Sequence, residues 1–322
     1  MNLARLDNWV PLRLYARDRR AMVDWAHLGE ERFTDPFFEQ TIARCLQHPA
    51  DILFRHQTPM ETLRELYEQR RGLVPSGFIF HMSRCGSTLI AQMLAAIERN
   101  IVISEARPID QVLGASMNES QRIDWFRWLL SALAQPRCGE SNFFIKFDAW
   151  HTVQLPLILR AFPNVPWVFV YRNPVEVMVS LHRERGVQVM PGVLSPAMFG
   201  LDPHELWITR LDEYAARVLA RICEVALVHR QQGHGRLVDF TELPNVVPDA
   251  LLKFFNVNYS AEEMERLQAA SQFDAKRPGL YFESDVAAKN RAATDELRRL
   301  TEQFLQPVYA QLEEARHAQD AG

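Results

Sequence analysis

Residues 77–94 read GFIFHMSRCGSTLIAQML, and three patterns follow one another inside that stretch. Gly77 to Met82 is a short apolar run of the kind that fills a buried strand. Ser83 to Ser87 is small, polar and cationic, and from Thr88 onward apolar residues recur at helical spacing. The segment is therefore predicted to run strand, tight loop, helix, a pattern it shares with any strand-to-helix turn of an α/β protein. The first N–H groups of a helix lack intrahelical partners and carry partial positive charge, so an anion suits such a loop. Gly86 lets the backbone approach a phosphate or sulfate, Ser87 and Thr88 offer hydroxyls, and Arg84 adds a permanent planar charge.

The loop of the nucleotide triphosphatases, G-x-x-x-x-G-K-[ST], would need Gly at His81 and Lys at Ser87. Without the lysine that reaches the β and γ phosphates, ATP and GTP fit poorly. The string Arg84-Cys85-Gly86-Ser87-Thr88 instead resembles the 5'-phosphosulfate loop of the sulfotransferases, above all their tyrosylprotein-type and bacterial branch, which carries Arg-Ser-Gly-Thr-Thr.

Working downstream, residues 100–104, NIVIS, predict a second buried strand that ends in Glu105-Ala106-Arg107. Side chains at the C-terminal end of a strand face the crevice where open α/β sheets bind ligands, although such a pair also suits a loop at the surface. By the resemblance, Glu105 matches the catalytic glutamate of the family and Arg107 the arginine two residues later. Residues 143–147, FFIKF, predict a strand carrying Lys146, which needs either an anion or an edge position with a route to water. The family has a lysine on the corresponding segment.

Residues 167–171, WVFVY, are the most strand-like in the chain; Asn173 suits an N-cap and Pro174 the first position of a helix over 175–185. Arg172 then stands at a strand end, and Ser180 lies about two turns into the helix. Sulfotransferases hold the 3'-phosphate of their donor with an arginine and a serine at this spacing. Here Asn173 replaces the family's aspartate, and Arg183 fits the bacterial pattern.

The remaining elements are read more coarsely. Two strands are expected over 8–15 and 21–27, and helices over 36–47, 59–69, 119–133, 150–162, 203–232, 248–255, 260–270 and 292–316, with a last strand over 236–240. Phe240 suits either burial in the sheet or contact with an adenine. Residues 273–290, with Lys276, Arg277, Ser284 and Lys289, read as a long loop of the kind that serves as a lid. Arg55, Arg64, Arg70 and Arg71 fit a solvated helix face or an anionic partner; Trp9, Trp25 and Phe33 fit the core or a pocket.

Composition narrows the function classes. The formal net charge of −4 over 322 residues argues against broad nucleic-acid binding. No stretch has the length of a membrane span, and the N-terminus lacks a secretory pattern, so a cytoplasmic location is expected. Cys45, Cys85, Cys138 and Cys223 are too scattered for a metal cage or a disulfide framework.

The expected fold is therefore α/β, a phosphate-loop parallel sheet flanked by helices over 75–322, sulfotransferase-like, with an N-terminal extension over 1–74. The resemblance implies sulfuryl transfer from 3'-phosphoadenosine 5'-phosphosulfate to a hydroxyl of a small-molecule or peptide acceptor, with no metal. It assigns catalysis to Glu105, Lys146 and Arg84, and donor binding to Arg84, Cys85, Gly86, Ser87, Thr88, Arg172, Ser180 and Arg183. A small-molecule kinase using ATP and Mg²⁺, or a nucleotide-binding module without catalysis, are the other readings.

Overall fold

The structure is a computed structural model that describes residues 6–47, 56–204, 209–230, 234–277 and 279–320. Arg55 and parts of the expected 203–232 helix lie outside the described residues. At the centre is a five-stranded parallel sheet whose members follow the sequence pattern closely. Its strands are β4 (Gly77–His81), β5 (Asn100–Ser104), β6 (Asn142–Lys146), β7 (Trp167–Tyr171) and β8 (Gly235–Asp239), in the order β5-β6-β4-β7-β8. β4, β5 and β7 are buried along their whole length, as strands covered by helices on both faces must be. That explains why they read as unbroken apolar runs rather than alternating ones.

The helix that follows the Ser83–Gly86 loop, α3 (Ser87–Ala95), leaves the end of β4, the central strand, and α5 (Pro174–Arg183) leaves the end of β7 beside it. Asn173 caps α5 as expected, its side chain accepting the Val175 N–H at 3.0 Å. Upstream, β1 (Trp9–Arg17), β2 (Arg20–His27) and β3 (His56–Pro59) form a separate antiparallel sheet, accompanied by α1 (Phe38–Cys45) and α2 (Glu61–Gln69). Trp25 and Phe33 are buried in a core continuous with that of the large sheet, so they pack rather than line a pocket. Arg64 and Arg70 meet surface carboxylates and Arg71 lies over the Tyr67 ring, the solvated reading of that cluster.

Three readings are corrected. The expected helix over 150–162 is a 3-10 turn, Ala149–Gln154, followed by a short α-helix, Leu155–Ala161, because Pro156 can sit only in a first helical turn. A short helix, α4 (Arg107–Leu113), with Pro108 in its first turn, begins where no element was read from the sequence and where the alternative for the Glu105–Arg107 pair was a surface loop. The 273–290 segment is not a loop throughout: Val286–Ala292 is helical.

At the other end of the chain, the helix Gln306–Asp320 lies against β8, where the Gln319 side-chain amide accepts from Leu237 N–H (3.0 Å) and donates to Leu237 C=O (2.7 Å). Among the described residues no helix is long and apolar enough to cross a membrane.

Candidate functional site

A cleft of about 580 Å³ opens at the C-terminal ends of the parallel strands, where ligands bind in open α/β sheets. Arg84, Cys85, Gly86, Ser87, Thr88, Glu105, Arg172, Ser180 and Arg183 all line it; Lys146 is buried behind Glu105 and bonded to it. The two motifs, read separately in the sequence, therefore share one cavity. The cleft also takes in residues that no motif announced, among them Phe37, Asp148, Trp150, Glu184 and Asp285.

The loop between β4 and α3 is built around left-handed backbone. Ser83, Arg84 and Gly86 have φ of 87°, 51° and 88°, a conformation costly for the first two, and such outliers gather where a loop is shaped for a ligand. No side chain caps α3; the Leu89 N–H bonds the Gly86 carbonyl at 2.9 Å, and the positive end of the helix, without a capping side chain, suits an anion. A Cβ on Gly86 would come within 2.6 Å of Leu243 Cδ1 and 3.0 Å of Phe240 Cδ2. Gly86→Ala is thus expected to lose about 1 to 3 kcal/mol of stability in urea denaturation and to weaken anion binding, since both the φ and the space forbid a methyl. Cys85 contributes backbone only. Its thiol donates to the Val170 carbonyl at 3.0 Å, and burial pushes it up to about 11.

Glu105 and Lys146 meet because the parallel register pairs Ser104 with Lys146, and the Glu105 N–H then donates to the Lys146 carbonyl at 2.8 Å. The Lys146 ammonium, with its side chain 1 % exposed, bonds directly to the Glu105 carboxylate. Glu105 itself adopts a left-handed φ of 52°. Burial alone would raise its pKa. The Lys146 charge and the His81 hydrogen bond outweigh that and hold the carboxyl far below its ordinary range.

His81 fills the place of the missing loop glycine. Its Nδ1 accepts the Ser83 N–H at 3.1 Å, so the proton sits on Nε2, which donates to the Phe147 carbonyl at 2.9 Å and lies 3.5 Å from Glu105. Burial, with Lys146 nearby, keeps this imidazole neutral by lowering its pKa. Arg107 stands at the start of α4 and does not line the cleft; Lys146 is the partner of Glu105.

At the opposite side of the cleft Arg172 is 4 % exposed and fully engaged. Its Nε donates to Glu176 at 2.6 Å, its Nη2 donates to Asp285 at 2.8 Å, and its guanidinium lies 3.8 Å from the centroid of the Phe240 ring. Phe240 is therefore half-buried on the cleft wall rather than buried in the sheet. Lys289 pairs with the other Asp285 oxygen at 2.7 Å. Asp285 thus bridges two cations, as an anionic ligand would. Ser180 Oγ donates to the Glu176 carbonyl at 2.9 Å, and Arg183 is exposed at the rim. Arg84 reaches across the mouth to the Glu184 carboxylate at 3.0 Å.

Phe37, from the N-terminal part of the chain, has Lys146 Nζ 5.2 Å and Lys276 Nζ 5.8 Å from its ring centroid, so an aromatic face sits among the cations at the Glu105 end of the cleft. The protein around Lys276, with Arg84 and Lys146, lowers the pKa of that ammonium.

Asp148 lines the same end. Burial and the Glu105 charge outweigh the pull of His151 and Lys146 and push its carboxyl from 3.8 up to about 7. A carboxyl whose folded pKa lies above its unfolded value contributes stability at low pH that is lost as pH rises through the folded value. Wild-type stability in urea is accordingly expected to fall between about pH 5 and about pH 8, by on the order of 1 to 3 kcal/mol more than that of Asp148→Asn. Parallel curves for the two proteins would refute the raised Asp148. Glu105 works in the opposite sense, its stabilisation being lost only as acid protonates it.

No family model and no curated protein matches the chain. Among solved structures it is similar to a sulfotransferase from Mycobacterium avium, at 12% identity over 76% of this chain and 81% of that one, with a TM-score of 0.48. It is similar also to a sulfotransferase from Alicyclobacillus acidocaldarius, at 16% identity over 76% of this chain and 96% of that one, with a TM-score of 0.44. A retinol dehydratase in complex with retinol and PAP matches at 14% identity over 79% of this chain and 87% of that one, with a TM-score of 0.39.

Proposed function

We propose that this protein transfers a sulfuryl group from 3'-phosphoadenosine 5'-phosphosulfate to an acceptor hydroxyl. The observation that carries the reading is that the Arg84–Thr88 loop and the Arg172–Ser180 pair, two elements far apart in sequence whose chemistry suits anions, line one cleft whose wall also holds the Glu105–Lys146 pair. A ligand with phosphates at both ends matches that distribution of charge. The donor, when bound, supplies the activated sulfuryl group.

What the chain supplies is positioning and charge. The loop N–H groups and Arg84 stabilise the negative charge that grows on a leaving 5'-phosphate. Lys146, released from Glu105, neutralises the sulfuryl oxygens, and Glu105 draws the proton from the acceptor hydroxyl. Arg172 and Lys289 bind the 3'-phosphate in the place Asp285 holds. Phe37 and Trp150 flank the reactive end, where the acceptor enters.

Calorimetry with adenosine 3',5'-bisphosphate, 5'-AMP and ATP with Mg²⁺ tests the reading. The bisphosphate is expected to bind about ten- to a hundredfold more tightly than 5'-AMP, the worth of one charged hydrogen-bonded contact. Equal affinities would remove the 3'-phosphate site, and tightest binding by ATP with Mg²⁺ would turn the assignment toward a kinase.

A further inference from the structure

Glu105 leaves a chemical problem. It gains proton affinity while Lys146 is turned to the sulfuryl group, but once Lys146 returns to it beside the His81 N–H that affinity is lost again, so a proton drawn from the acceptor cannot stay there. A second carboxyl stands in the same cleft. Asp148 lies two residues beyond β6, on the strand end that carries Lys146, and is 7 % exposed.

The surroundings of Asp148 favour a proton on it. His151 Nε2 lies 3.1 Å from Asp110 Oδ1, a carboxylate that also accepts the Trp150 indole N–H at 2.8 Å, so Nε2 carries the ring proton. The other ring nitrogen, Nδ1, accepts the backbone N–H of Asp148 at 3.3 Å and presents its lone pair to Asp148 Oδ2, 3.7 Å away. With Nδ1 so occupied it gives Asp148 Oδ2 no hydrogen bond, and burial together with the nearby Glu105 charge outweighs the electrostatic pull of His151 and Lys146, so a proton on Asp148 is favoured. The charged or titratable groups acting on Asp148 are His151 and Asp110 on one side and Glu105 and Lys146 on the other, with His81 behind Glu105. Two neighbouring carboxyls whose environments drive their proton affinities apart form an acid–base couple.

We propose that Asp148 is the proton sink of the reaction, the group on which the acceptor's proton comes to rest after Glu105 has drawn it off. This rests on the sulfuryl-transfer reading. The acceptor O–H breaks as its oxygen forms the new S–O bond. The S–O bond to the donor phosphate breaks with its electron pair going to that phosphate, and the proton passes by way of Glu105 to ionised Asp148, which later returns it to solvent through the open cleft. Asp148 acts through Glu105, and His151, held by Asp110, positions it.

The test uses the full chain and a reaction that needs no known acceptor, cleavage of 3'-phosphoadenosine 5'-phosphosulfate with water as the receiving hydroxyl, followed by chromatography of the bisphosphate released. Turnover of the wild type is expected to rise with pH through about 7, as Asp148 ionises. Asp148→Asn keeps an N-cap of the same shape and is expected to bind adenosine 3',5'-bisphosphate within about twofold of wild type, to lose about tenfold or more in turnover, and to lose the acid limb of the pH profile. Carbon-13 NMR of wild-type aspartate carboxyls, with Asp148→Asn to assign the resonance, reads the same group without turnover. Titration of Asp148 in the ordinary carboxylate range, or an Asp148→Asn enzyme that retains both rate and acid limb, overturns the proposal while bisphosphate binding stands. A wild-type protein that binds no bisphosphate overturns the sulfuryl-transfer reading and this one with it.

Discussion

Glu105→Gln is expected to abolish most turnover, about a hundredfold or more, and to remove about 3 to 5 kcal/mol of stability at the same time. The second loss follows from Lys146, whose side chain is 1 % exposed and whose direct partner is the Glu105 carboxylate. A glutamine leaves that ammonium buried without its counter-ion. Lys146→Met should cost a similar amount by stranding Glu105, and the double variant should be far more stable than the sum of the two, because replacing both members of a buried pair removes the stranded charge. Urea denaturation of the four proteins gives the coupling directly. Additivity within about 0.5 kcal/mol would mean that the two side chains do not pair. The activity readout separates roles: Lys146→Met should lower turnover more than bisphosphate affinity, since charge on the leaving phosphate grows toward the transition state.

Arg172→Ala should produce the other large effect. It removes a guanidinium that touches Glu176, Asp285 and the Phe240 face together, and leaves Glu176 buried without its counter-ion. A stability loss of about 3 to 5 kcal/mol is expected, with bisphosphate affinity falling about ten- to a hundredfold while 5'-AMP binding changes little. Arg172→Lys keeps the charge but not the planar fork or the stacking, and should recover only part of either loss. Asp285→Asn pulls the other way. It weakens the internal anion on Arg172 and Lys289, so the bisphosphate should bind more tightly. Weaker binding instead would assign Asp285 to holding the cations in place rather than to occupying a ligand's position.

What the sequence showed of this site depended on how local each signal was. β5 and β7 have the predicted bounds, and β4 ends one residue short of its expected end, because apolar runs of that length define themselves. Asn173 and Pro174 likewise declared a helix start by residue type alone. Pairings across the sheet had no such signal. Lys146 was visible as a cation needing an anion, but its partner lies 41 residues away and becomes apparent only once β5 and β6 are set in register. Arg107, nearer in sequence to Glu105, stands instead at the start of α4, off the cleft. Phe37 reaches the cleft from the N-terminal part of the chain by tertiary packing, which no periodicity encodes. Asp148 could have been noticed, since it lies two residues past Lys146 on the same strand end, but its proton affinity depends on His151 and Glu105 being brought against it.

The Gln319 amide that faces Leu237 has a consequence for how this chain behaves in a crowd. β8 is an edge strand, and a bare edge offers unpaired peptide groups to any other extended chain. Gln319 presents a donor and an acceptor to one residue of that edge, as a neighbouring strand's peptide would, while the helix that carries it lies against the strand. The last helix is in this sense a guard against strand-to-strand polymerisation, and loosening it should show first as a tendency to aggregate, before any change at the cleft.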